Sequence, residues 1–275
     1  MRHAGGHVRH ADGHADTRDS LWYIPAVGKN AKITWIGHAS ALVDIGGERV
    51  LIDPLGRRRC ADIDQYSAVL VTHSHVDHLN RWTLSTLDKS VPLHVPKGAR
   101  RIVQDLGFRE VVEMEPGDHR NVGGLDIVSV PTRHDNGRWR KGDSPICNGY
   151  VIGKDGAFVH HAGDVDMSDY DVFDDIGRDF QLDATLLPIG GMLPVWYYRM
   201  RRRSRDRGVH IDPDTALAIS ERLGATRMVP IHWGTVNLRL GPVSGPRRRL
   251  LGVAAERGLE NLVHVLGHGD VLTID

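Results

Sequence analysis

The sequence predicts an α/β (α+β) fold in which two β-sheets pack face to face with helices outside them. Three observations carry this. Short apolar strands joined by tight turns begin at Ala31, and later strands alternate with helices. Every sheet and every helix must bury an apolar face against another layer. One sheet between two helical layers would use the same string of elements, so both arrangements stand at this point.

Taken in order, Met1 to Ser20 is rich in Gly, Asp and His and has no apolar periodicity. Residues 1–20 therefore read as a disordered His-rich tail. His3, His7, His10 and His14 share a helical spacing, but Gly5, Gly6 and Gly13 oppose a stable helix. Strands follow at 32–36, 41–45 and 49–52, with Gly46-Gly47 as the turn between the last two. The apolar run 67–71 reads as a short buried strand. A helix over 80–87, strands at 93–95 and 111–113 with a helix over 99–106 between them, and a strand at 125–130 come next. Segments 149–152 and 157–160 form a hairpin across Gly153–Gly156. A buried strand at 184–187 precedes a helix to Leu223, with Asp212 at its N-cap and Pro213 in its first turn. A strand at 227–231, a helix over 246–257 and an apolar segment at 263–265 complete the chain.

The 35 basic residues equal the 35 acidic ones among 275, so no overall field recruits nucleic acid. No apolar run approaches the ~20 residues needed to span a bilayer. The N-terminus lacks the apolar core of a signal peptide. Two cysteines, Cys60 and Cys147, suit free thiols in a cytoplasmic protein.

The densest chemistry lies in Thr72-His73-Ser74-His75-Val76-Asp77-His78-Leu79, directly after a predicted strand. Three imidazoles and a carboxylate within six residues are hard to assign to packing. All four are metal donors. In an extended segment alternate side chains share a side, so His73 and His75 can grip one ion while Asp77 and His78 turn to another. His134, Asp164 and His232 also fall within a few residues of predicted strand ends, where loops on a rigid scaffold gather catalytic groups.

His73-x-His75-x-Asp77-His78 resembles the HxHxDH signature of the metallo-β-lactamase superfamily. The resemblance implies a four-layer αββα sandwich with metal at the sheet edges and a single hydrolase domain over 21–275. It extends through Thr34-Trp35-Ile36-Gly37-His38-Ala39-Ser40, Leu51-Ile52-Asp53-Pro54, Ala162-Gly163-Asp164 and Leu187-Pro188-Ile189-Gly190. It continues in His210-Ile211-Asp212-Pro213 and Pro230-Ile231-His232-Trp233-Gly234-Thr235. These stretches are similar to the branch that holds N-acyl-phosphatidylethanolamine phospholipase D and, more distantly, L-ascorbate-6-phosphate lactonase.

Carried over residue by residue, the resemblance implies one metal on His73, His75, His134 and Asp164, and a second on Asp77, His78, Asp164 and His232. Two divalent ions are expected. With no cysteine among the donors, zinc is favoured, with manganese or iron as alternatives. His210 matches a histidine that reaches substrate, and His38 and Asp53 match positions bordering the metals, where they would orient ligands. Asp77, Asp164 and His210 are the expected catalytic groups. His160 and His161 are assigned to their strand and to hydrogen bonding around the ligands. His94, His119 and His264 match no ligand position and read as structural.

The implied function is a dinuclear hydrolase in which a metal-bridging hydroxide attacks a phosphodiester, as in a phospholipase D, or a lactone or other ester. The partner would be a small-molecule or lipid phosphoester. A di-iron oxidoreductase on the same fold and a nuclease are the alternatives. Between Met192 and Gly208 the chain adds Pro194-Val195-Trp196-Tyr197-Tyr198 and then Arg199, Arg201, Arg202, Arg203, Arg205 and Arg207. Residues 192–207 suit peripheral membrane contact, a lid whose arginines hold a phosphate, or a solvated loop.

Overall fold

The structure is a computed structural model that describes residues 29–61, 63–134, 145–166, 170–190, 210–235 and 244–275. The expected tail over 1–20 and the aromatic and arginine-rich insert over 192–207 lie outside these residues.

The first sheet begins with β1 (Ala31–Gly37), β2 (Ser40–Ile45) and β3 (Glu48–Ile52), an antiparallel meander. Parallel strands β4 (Ala68–Leu70), β5 (Leu93–Pro96) and β6 (Val111–Met114) extend it from β3. The second sheet starts with β7 (His119–Val122), β8 (Leu125–Pro131), β9 (Asn148–Lys154) and β10 (Ala157–His161), all antiparallel. β11 (Ala184–Pro188) and β12 (Met228–Ile231) add to it in parallel. β13 (Val271–Ile274) returns to pair with β1, giving orders β13-β1-β2-β3-β4-β5-β6 and β12-β11-β10-β9-β8-β7.

Three separate apolar layers decide between the two arrangements left open by the sequence. One lies between the sheets and joins Ile33, Val50, Ile52 and Leu70 to Ile127, Ile152, Val159 and Leu186. A second covers the outer face of the first sheet, where Leu51, Val69, Leu93 and Val95 meet α1 (Arg57–Ala61), α2 (Arg81–Leu84) and α3 (Arg100–Val103). A third covers the outer face of the second sheet, where Val151, Phe158 and Leu187 meet α4 (Asp171–Asp179), α5 (Pro213–Arg222) and α6 (Gly245–Glu256). Three cores require four layers, so the molecule is an αββα sandwich. Its central strands bury both faces, which is why they read as continuous apolar runs. Each fully buried Leu, Ile or Val contributes roughly 1.5–3 kcal/mol.

Several elements differ from expectation. The helix expected over 80–87 stops at Leu84, with Asn80 as N-cap accepting from Thr83 N. The helix expected over 99–106 divides into α3 and a 3-10 turn, Gln104–Leu106. The segment 263–265 contributes only an isolated bridge from Val263 to Met228, and the C-terminal strand is β13 instead. β7, α1 and α4 were not anticipated. Asp212 caps α5 as expected, its Oδ1 accepting from Thr215 N at 2.9 Å.

The edge where the parallel strands end is stitched across the sandwich. His232 N donates to His38 O at 2.8 Å, and Asn148 N donates to Thr72 O at 2.9 Å. Tyr150 Oη donates to Val71 O at 3.0 Å. Among the described residues five non-glycine positions have positive φ, and three of them, His38, Asp53 and His232, lie at this edge. Left-handed backbone is costly outside glycine and persists where surrounding contacts over-determine it.

Candidate metal centre

Asp164 lies at the middle of this edge. It leaves β10 through Gly163, whose φ is +66° and whose Cα faces Thr72 so closely that a Cβ would sit 2.9 Å from Thr72 Cβ. Asp164 is 1% exposed, and neither of its oxygens has a hydrogen-bond partner among the described residues. Yet five imidazoles point at it: Nε2 of His78 at 3.2 Å, His210 and His232 at 3.4 Å, His73 at 3.6 Å and His134 at 3.8 Å. Most of these gaps are long for hydrogen bonds, and a buried carboxylate left without partners is costly.

The distances fit a shared cation. Four N and O donors about 2.0–2.2 Å from a tetrahedral ion lie about 3.3–3.5 Å from one another. His73 Nε2 and His134 Nε2 are each 3.0 Å from His75 Nδ1, and both lie 3.6–3.8 Å from Asp164 Oδ2. The expected first set, His73, His75, His134 and Asp164, is thus brought together with the edge lengths of one coordination shell.

The residues of the expected second set also converge, with a difference. Asp77, His78 and His232 gather with His38 as a fourth possible donor, and Asp164 faces His232 and His210. His232 Nε2 is 3.5 Å from Asp77 Oδ2 and 3.4 Å from Asp164 Oδ1. His38 Nε2 is 3.0 Å from Asp77 Oδ2, while its Nδ1 meets Thr235 Oγ1 at 2.8 Å.

Surrounding groups fix ring orientation. His78 Nδ1 lies 2.7 Å from Asp53 Oδ2, which aims Nε2 at Asp164. Asp53 is held in turn by Thr72, which donates from N at 2.8 Å and from Oγ1 at 2.6 Å. His134 Nδ1 lies 3.0 Å from Asp166 Oδ1, which aims its Nε2 at His75 and Asp164. Such partners set tautomer and raise ligand basicity. Asp166 was missed in the sequence, although its i+2 spacing from Asp164 in an extended segment was the available signal. Thr72 and Thr235 stand inside the quoted stretches, but nothing in the sequence assigned either a role.

His161 Nε2 meets Ala39 O at 2.9 Å and His160 Nδ1 meets Thr185 Oγ1 at 2.9 Å, both within buried β10. His94 and His264 lie outside the cluster, and exposed His119 pairs with Asp126 at 2.9 Å.

The electrostatics suit cation capture. Burial, reinforced by neighbouring imidazoles, holds His73 well below the usual histidine range. Burial also pushes His75 and His232 down to about 4, against the pull of nearby carboxylates. These rings are neutral and ready to donate lone pairs. Burial opposes ionisation of Asp164, but the electrostatic pull of the surrounding imidazoles, His232, His78 and His210, outweighs it and keeps the carboxyl well below the carboxylate range. Burial also lowers His78, but Asp164 and Asp53 outweigh it and draw the ring toward the charged form. The proton this favours on Nε2 stands where a cation would bridge to Asp164.

An αββα sandwich with a buried His/Asp cage at the strand ends defines a class of metal-binding fold. A family model described as a beta-lactamase superfamily domain matches residues 40–233, and the chain belongs to the metallo-β-lactamase superfamily. It is similar to a UPF0173 metal-dependent hydrolase from Methanopyrus kandleri, 31% identical over 87% of this chain and 98% of that protein. It is 29% identical to an uncharacterized Mycobacterium tuberculosis protein over 81% of this chain, and spans 63% of that relative's length. It is 26% identical to the Caenorhabditis elegans N-acyl-phosphatidylethanolamine-hydrolyzing phospholipase D 1 over 74% of this chain and 63% of that enzyme. In fold it resembles a metallo hydrolase from Ignicoccus hospitalis, with a TM-score of 0.65 and 22% identity over 90% of this chain and 99% of that one.

Proposed function

We propose that the protein is a metal-dependent hydrolase with a dinuclear centre that cleaves a phosphodiester, or a lactone or other ester. The observation that carries this reading is Asp164, a fully buried carboxylate without a hydrogen-bond partner among the described residues, ringed by five imidazole nitrogens. His73, His75, His134 and Asp164 would hold one cation, and Asp77, His78, His232 and Asp164 the other. The donors are nitrogen and oxygen without thiolate, which favours zinc over softer ions and leaves manganese and iron usable. When bound, two such cations supply Lewis acidity and acidify a water enough to yield hydroxide near neutral pH.

The protein's own groups do the rest. Asp53 and Asp166 hold His78 and His134 in the tautomer that presents Nε2. His210 Nε2 lies 3.4 Å from Asp164, from where it would donate to charge developing on a reacting oxygen. Asp77 is kept ionised: burial opposes this, but bonds from His232 and His38 prevail. The names of the Methanopyrus and Caenorhabditis relatives support hydrolysis, the latter of a phosphodiester. Among the described residues no helix is long and apolar enough to cross a membrane. The buried thiol of Cys60 favours a reducing compartment such as the cytoplasm.

Zinc-loaded protein should hydrolyse bis-p-nitrophenyl phosphate and hold about two ions per chain, as a two-metal site requires. His73→Ala and Asp164→Asn should each abolish turnover. Full activity in both variants would overturn the assignment.

A further inference from the structure

The geometry points to a second element of recognition: a cavity beside α1 that receives an oxyanion group, phosphoryl in type, carried on an aromatic or otherwise apolar body. The inference rests on the hydrolase reading for its place in the reaction, and on separate residues for its chemistry.

The cavity measures about 470 Å³. One wall is the turn and helix that follow β3, from Leu55 to Arg59. Three consecutive arginines, Arg57, Arg58 and Arg59, stand on this helix, all exposed. Cys60, 1% exposed, anchors the helix in the outer apolar layer and turns the arginines outward. Among the described residues none of the three guanidiniums has a carboxylate partner within 4.0 Å, a state they share with several other arginines, but these three are consecutive and line one cavity. Three guanidiniums lining one hollow, with no counter-ion among the described residues, suit recognition of planar or tetrahedral oxyanions.

Trp82 also lines the cavity, 70% exposed and the largest exposed apolar side chain among the described residues. Arg57 lies over its ring, 5.5 Å from the centroid. That contact engages part of the indole, whose high exposure leaves the rest to a flat or apolar group. The position is rigid at its base: Gly56 N donates to Thr83 Oγ1 at 3.0 Å, and Thr83 is buried next to Trp82.

The inner wall connects the cavity to the candidate metal centre. His38 and Thr235 line it, and His38 reaches Asp77 through its other nitrogen at 3.0 Å. An occupant therefore lies one imidazole ring away from the second metal set. Cationic rim, aromatic wall and this adjacency together specify the part of a substrate that is not cleaved: an acidic head joined to an apolar body.

The test uses zinc-loaded protein and naphthalene-2-sulfonate, whose sulfonate presents three anionic oxygens yet ligates zinc poorly. Isothermal titration should show saturable binding. Affinity should fall at least about tenfold, the equivalent of one charge-assisted hydrogen bond, in a variant with Arg57, Arg58 and Arg59 all changed to Ala. It should fall comparably in Trp82→Ala, and the neutral naphthalene-2-methanol should bind at least about tenfold more weakly than the sulfonate. No saturable binding, equal affinity in the triple variant, or equal binding of the neutral compound would each overturn the inference.

Arginine-dependent binding to phosphatidylcholine vesicles containing phosphatidic acid would assign the head group to a lipid. Binding of the sulfonate without vesicle binding would assign it to a soluble ester. These readouts need no turnover. A protein that binds the sulfonate as described but hydrolyses no ester refutes the hydrolase reading alone, and one that hydrolyses bis-p-nitrophenyl phosphate without arginine-dependent binding refutes the subsite alone.

Discussion

Asp53 Oδ2 and His78 Nδ1 lie 2.7 Å apart, with both side chains fully buried. The carboxylate fixes one face of the imidazole and leaves Nε2 no choice but the cluster. Asp53→Asn keeps the shape and removes the charge. It should weaken zinc affinity about 10–100-fold, as loss of ligand-orienting partners does elsewhere. Competition with a chromophoric chelator measures this, and an unchanged far-ultraviolet circular dichroism spectrum shows that the fold persists. Asp166→Asn, acting on His134, should give a loss of the same order.

Gly163→Ala combines two costs. The residue would take φ +66°, and its Cβ would press to 2.9 Å from Thr72 Cβ and Oγ1. Thr72 is the side chain that holds Asp53, so the strain passes to both halves of the site. Urea unfolding should show a loss of about 1–3 kcal/mol, together with reduced metal stoichiometry.

Metal removal should lower the melting temperature, because the folded chain alone assembles the donor set. At free zinc about a hundred times Kd, the gain is ~2.7 kcal/mol. Dialysis against EDTA followed by zinc titration, read by scanning calorimetry, should lower and then restore the transition. A melting temperature indifferent to zinc would show that no cation is held.

Acid stability should depend on His94, away from the cluster. Leu93 and Val95 face the outer layer, so His94 faces inward, where it is 1% exposed. Burial, with Arg120 adding to it, pushes its imidazole down from 6.5 to about 4. Above pH 6.5 both folded and unfolded forms are neutral here and the full stability is present. As pH falls from about 6.5 to about 4, only the unfolded chain takes the proton. Stability should then drain at up to ~1.4 kcal/mol per pH unit. In metal-free protein, His94→Gln should flatten the stability profile over that window while leaving its neutral-pH slope unchanged.

Much of this architecture is legible in the residues themselves. Buried strands such as 67–71 and 184–187 announce themselves because both faces are apolar. The hairpin between β9 and β10 is marked by Asp155-Gly156, both at positive φ. The Asp212-Pro213 start of α5 is similarly explicit. β7 was invisible because His119, Arg120 and Asn121 are all exposed, leaving no apolar alternation to read. α4 was hidden by its composition: only Phe173 and Ile176 of its nine residues are buried. At the centre, the metal-competent residues could be named one at a time, and of their partners Asp53 and His38 could be named as well, but Asp166 could not. Thr235 beside His38 and Thr72 beside Asp53 are ordinary residues made specific by sequence-distant contacts. His38 lies beside the second set as expected, and one of its ring nitrogens also comes within donor distance of Asp77, His78 and His232.

The cage draws on both sheets. His38 and His73 to His78 come from the first, while His134, Asp164 and His232 come from the second. A chain emerging from the ribosome therefore carries half a cage until the partner sheet has been made and docked. A cation held by donors from both sheets would act as a rivet across that seam, and removing it should loosen the sandwich first along the edge where the strands end.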